Sequence, residues 1–115
     1  MAKVEVAHSL LEEIEKKFKG KSHKIMDLLE SLEENPKKGK ELGHVGGIVI
    51  KELKYESFRF YFITDGFKLR VMDQNQLSDL LIRFVKMSNK KDQQKTINEI
   101  KRILLNLGME GFEDN

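Results

Sequence analysis

The chain has 115 residues, 39% of them hydrophobic and 35% charged, with a formal net charge of +2 and no cysteine. That is enough chain for one domain with a single core, and the balance excludes a disordered or membrane-spanning protein. Disulfides and thiolate metal sites are excluded as well. No apolar run approaches the length that crosses a bilayer, and the opening MAKVEVAHS lacks the apolar core of a signal peptide. A cytoplasmic protein with no membrane partner is the expectation. The charge is unevenly spread. Acids outnumber bases from Glu12 to Glu34, whereas cations concentrate in Lys37 to Lys54 and in Arg83 to Arg102. Such clusters suit phosphate contacts and are equally what a lysine-rich surface looks like.

In chain order, KVEVA over residues 3–7 alternates and predicts a short edge strand. Ser9 and Glu12 form an S-x-x-E capping box, which predicts a helix opening at Ser9 with Leu10, Leu11, Ile14 and Phe18 as its apolar stripe and Gly20 as its end. Ser22 is placed to cap a second helix, striped by Ile25, Leu28, Leu29 and Leu32, and closed by Asn35-Pro36 because a residue before proline is pushed out of the α region. Two short amphipathic helices so close together read as a helical hairpin. The connector PKKGKELGHVGG is basic and glycine-bearing, with a short strand expected around Leu42 to Val45 and a turn at Gly46-Gly47.

The stretch from Ile48 to Asp73 is the sheet signal. Strands are expected over Ile48–Tyr55, Phe58–Thr64 and Phe67–Met72, with Asp65-Gly66 as the hairpin turn between the last two. In the second strand Phe58, Phe60 and Phe62 share one face, and Arg59, Tyr61 and Ile63 share the other. The phenylalanine face is the natural core face, to be covered by the helical hairpin. From Leu77 to Met87 both periods fit: Leu77, Leu80, Leu81, Phe84 and Val85 suit a helix, while Leu80, Ile82 and Phe84 suit a strand. A final helix carries Ile97, Ile100, Leu104 and Leu107 and ends at Gly108. Residues 1–108 are thus expected to be one domain and 109–115 a flexible acidic tail. The fold class is α+β: an N-terminal helical hairpin on a small, twisted, mostly antiparallel sheet, with a C-terminal helix.

This order of features resembles the RelE/ParE superfamily of toxins from type II toxin–antitoxin pairs. The resemblance rests on LLESLEENPKKGKEL from Leu28 to Leu42, KELKYESFRFYF from Lys51 to Phe62, and LIRFVKMSNKK from Leu81 to Lys91. It spans roughly residues 3–105 and implies a strand over about Leu80–Met87. It also implies a toxin that inhibits translation by binding the ribosome and cutting mRNA without metal or other cofactor, through attack of a ribose 2′-OH. A cognate antitoxin would hold it inactive. Such chemistry needs cations to neutralise the pentavalent phosphate, and ideally a group to move protons. By resemblance Arg59, Lys54 and Lys86 take the catalytic positions, and Lys51, Arg83, Lys90 and Lys91 the RNA-binding ones.

Two positions depart from the nuclease pattern. Glu52 stands where the best-studied nuclease branch has lysine, and no Tyr or His occurs from Arg83 to Asn115. These favour a ParE-like or orphan member that acts by protein or RNA binding alone. A plain α+β interaction domain is the third reading. His8, His23 and His44 lack ligand spacing, so no metal site is expected. Neither a phosphate-binding G-x-x-x-x-G-K-[ST] loop nor a nucleophile elbow is present.

Overall fold

The computed structural model describes residues 1–112 and is α+β. One five-stranded mixed sheet runs through it, built from β1 (Lys3–Val6), β2 (Lys40–Val45), β3 (Ile48–Tyr55), β4 (Phe58–Asp65) and β5 (Leu81–Asn89). The strand order is β1-β5-β4-β3-β2, with β1 parallel to β5 and the other neighbours antiparallel. Helices α1 (His8–Phe18) and α2 (Ser22–Glu30) follow β1, α3 (Gly66–Val71) follows β4, and α4 (Gln93–Leu107) follows β5. No helix among the described residues is long and apolar enough to cross a membrane.

The sheet is covered on both faces. Leu10 and Ile14 of α1 and Ile25 and Leu29 of α2 pack on Phe60, Phe62, Ile82 and Phe84, so the phenylalanine face is indeed the hairpin's floor. Phe62 and Phe84 meet at 4.8 Å between ring centroids, and Phe18 closes edge-on to Phe58 at 5.2 Å. On the other face Ile97, Ile100 and Leu104 of α4 pack on Ile50, Tyr61, Ile63 and Val85. Each such large side chain, fully buried, is worth about 1.5–3 kcal/mol of transfer free energy.

Several local expectations are corrected. The Ser9–Glu12 capping box does not form. The helix starts one residue earlier, at His8, with Ala7 in the cap position and no side-chain cap. Ala7 still donates its N–H to the Phe84 carbonyl at 2.9 Å, so the chain passes from strand pairing directly into the helix. Ser22 is already the first residue of α2 and caps nothing. The left-handed backbone after α1 falls on Lys19, φ 44°, and Gly20 lies in the short 3-10 turn that follows.

The largest correction concerns residues 67–72. They are not a third hairpin strand. Asp65 ends β4 and caps α3, its carboxylate accepting the Lys68 N–H at 3.0 Å. Gly66 donates its N–H to the Gly47 carbonyl at 2.8 Å, and a Cβ on Gly66 would stand 3.1 Å from that oxygen. Lys68 and Arg70, expected on that third strand, therefore belong to a helix. Beside β3, the second antiparallel partner of β4 is β5, which settles the ambiguous run as a strand from Leu81, preceded by a 3-10 turn that buries Leu77.

Residues 109–112 are not a loose tail either. They continue as a 3-10 turn after Gly108, and Phe112 joins the core beneath α4. Glu113 and Asp114 lie outside the described residues.

Candidate functional site

The register of the central strands assembles the polar residues of the α4-facing side into rows. Lys54 pairs with Arg59 and Arg59 with Ser88; one row on, Lys40 pairs with Glu52, Glu52 with Tyr61, and Tyr61 with Lys86. Cross-strand partners share a face. The rows lie at the end of the sheet where α4 begins: Gln93, its first residue, reaches back to donate to Glu52 Oε2 at 3.3 Å. Beyond this end Ile50, Ile63 and Val85 pack under α4, and the polar residues there include Arg83, opposite Ile63, and its partner Glu5.

Arg59 is 8% exposed. One terminal nitrogen donates to the Ser57 carbonyl at 3.2 Å, but Nε–H is buried with no hydrogen-bond partner. Among the described residues no ion pair holds it. Glu52, 2% exposed, is likewise half satisfied: Oε2 has Gln93 and Oε1 has nothing. A buried polar group without a partner costs roughly 1–3 kcal/mol, more when charged; the unused Arg59 donor is one that an anion satisfies, whereas the Glu52 oxygen is not. Tyr61 is fully buried and shares a 2.7 Å hydrogen bond with Ser88 Oγ. Burial pushes its phenol above the ordinary range, and the Ser88 bond offsets this only in part. It is a structural hydroxyl at neutral pH, and a poor base.

The expected site residues divide. Arg59 and Lys54 are neighbours across β3 and β4, and Lys54 is exposed. Lys86 is half-buried one row away, its Nζ 3.8 Å from Glu99 Oε2 on α4. Lys90 and Lys91 are exposed in the connection from β5 to α4, at the same end as Lys54. These five lie toward the same end of the sheet. Arg83 does not join them: it forms an ion pair with Glu5 of β1. Lys51 lies on the opposite face, 5% exposed, its Nζ donating to the Lys37 carbonyl at 3.0 Å and 5.9 Å from the Phe62 ring centre. Burial pulls its ammonium below the ordinary lysine range, with Glu41 opposing. It is no surface cation.

Sequence reasoning missed Ser88 and Gln93, which bond the Tyr61 hydroxyl and one oxygen of Glu52; nothing in a serine or a glutamine foretells such a partner before the register is known. Lys38 and Lys40 were also missed, although the connector that carries them was visibly basic. Among the described residues no group of three His, Asp or Glu side chains could hold a metal. What the arrangement can do is hold an anion: an arginine with a free donor, with exposed lysines toward the same end of the sheet. Comparison with protein-family models, curated proteins and solved structures found no match to this chain.

Proposed function

We propose that the chain is a RelE/ParE-like toxin that acts in the cytoplasm on the ribosome and its mRNA, and that a cognate antitoxin holds it inactive. The observation that carries this reading is the Arg59 row: a buried guanidinium with an unused Nε–H, an exposed lysine at its side, and two more lysines at the same end of the sheet. A phosphodiester is the ligand that such a set neutralises and orients, and a pentavalent phosphorane is the state it would stabilise most. In this reading Arg59 and Lys54 bind the scissile phosphate, Lys86 lies behind them, and Lys90 and Lys91 hold flanking phosphates. The RelE-like arrangement of hairpin, sheet and terminal helix is part of the same proposal.

A second reading has its own support. Metal-free cleavage needs a group to move the 2′-OH proton, and the one tyrosine on this face is buried, hydrogen-bonded and shifted upward. Binding without cutting, as in a ParE-like or orphan member, fits that observation better. Tightly induced expression with mapping of mRNA 5′ ends separates the two. Growth arrest with codon-phased cuts that vanish in Arg59→Ala supports the nuclease. Arrest without cuts supports binding alone, and growth unaffected by the wild-type chain overturns both.

A further inference from the structure

The segment from Pro36 to Lys40 is a loop by composition, yet it is pinned. Pro36 is buried, and the Lys37 carbonyl accepts from the buried Lys51 ammonium at 3.0 Å. Gly39 has φ +106°, a region open to glycine, and a Cβ there would stand 2.9 Å from Phe62 Cζ and 3.0 Å from the Glu52 carbonyl oxygen. Held this way, the segment turns Lys38 and Lys40 outward, both exposed. Since β2 pairs with β3 only as far as Lys40 opposite Glu52, the edge of β3 is uncovered beyond that point. A cleft of about 370 Å³ opens there, bordered by Lys38, Lys40 and Lys54 and walled by Leu28 of α2 and Leu53 of β3. Its one carboxylate, Glu52, is 2% exposed, with Oε2 bonded to Gln93 and Oε1 without a partner.

We propose that this cleft binds the phosphate backbone of single-stranded RNA, with Lys38, Lys40 and Lys54 on the phosphates and the leucine wall against an unstacked base. The inference rests on the RNA-binding reading above and lengthens its track, because Lys54 borders both the cleft and Arg59. Three lysines with no exposed carboxylate among them suit a polyanion, and continuity with the Arg59 row selects RNA over an acidic peptide. Lys51 serves the cleft at one remove. Its buried Nζ cannot meet RNA, but it anchors the segment that carries Lys38 and Lys40.

The test is the salt dependence of affinity for a fluorescein-labelled oligouridylate, followed by anisotropy with the full chain. Each phosphate contact on a single strand contributes about 0.7 to the slope of log K against log salt. Lys38→Ala with Lys40→Ala, both at exposed positions, is expected to lower the slope by about 1.4 without moving the melting temperature. Lys51→Met is expected to weaken binding at an unchanged slope. An unchanged slope in the double variant, with Arg59→Ala still weakening binding, overturns the cleft and spares the RNA-binding reading. No salt-dependent RNA affinity in the wild type overturns both. A slope loss seen only with labelled oligoglutamate assigns the cleft to a peptide and overturns its assignment to RNA, as a loss of about 0.7 in Lys51→Met overturns the anchoring role.

Discussion

Arg83 and Glu5 show how a cation near a basic cluster is withdrawn from it. The guanidinium, 15% exposed, bonds the Glu5 carboxylate across the parallel pairing of β1 and β5. That hydrogen bond and the attendant charge hold the Glu5 carboxyl below its ordinary value of 4.5, against some desolvation. A depressed carboxylate pKa stabilises the fold above the unfolded value, and the contribution is lost as pH falls through the folded one. With Glu5 one-third exposed, solvent screening keeps the pair at roughly 0.2–1 kcal/mol. Glu5→Gln is therefore expected to lose that much in urea denaturation at pH 7, with the gap to wild type closing below about pH 4. A gap that persists in acid would show that packing, not the ion pair, holds the two together. Lys51 has the opposite sign: its lowered pKa is a cost, relieved as pH rises toward 10.5.

At the scale of elements, the caps decide where helices begin, and two substitutions separate motif from structure. Ser9 lies inside the first turn of α1, exposed and in no capping bond, so Ser9→Ala is expected to change stability by less than about 0.5 kcal/mol. Asp65 does cap α3, and Asp65→Ala is expected to cost about 0.5–2 kcal/mol in the same chemical denaturation. The reverse ranking would mean that the S-x-x-E motif is used after all. The physical reason lies outside either helix. Ala7 is committed to the Phe84 carbonyl, so the chain has no room for a cap two residues further on.

For the whole molecule, the sheet buries two separate cores, and the second depends on the chain's last described turn. Gly111 sits so close to α4 that a Cβ would lie 2.5 Å from Ile103, and Phe112 is buried in the same cluster as Leu104 and Val85. Phe112→Ala is expected to cost about 3 kcal/mol, seen as a lower urea midpoint at unchanged m-value. A midpoint at the wild-type position would return residues 109–112 to the status of a tail. The same core limits function. By covering Tyr61 and Ile63, α4 closes the sheet along the strand direction, so the proposed track runs across the Arg59 row and on toward the connector.

The sequence by itself determined the apolar stripes of α1, α2 and α4, save Leu107, which is exposed, together with the span Ile48–Tyr55 and the division of β4 into a phenylalanine face and an Arg59 face. Each is a short-range periodicity, written into a dozen residues or fewer. What it could not decide was competition between distant segments. Asp65-Gly66 suits a hairpin turn and a helix cap equally well, and Leu77–Met87 suits two periods. β4 has only two edges: β3 takes one, and β5 takes the other while also pairing with β1. Once that edge is filled, residues 67–72 cannot pair with β4, and Asp65 is free to cap α3. The same pairing put Ser88 beside Tyr61 and sent Lys51 to the far face, and so only the tertiary structure decided which of the cations stand together.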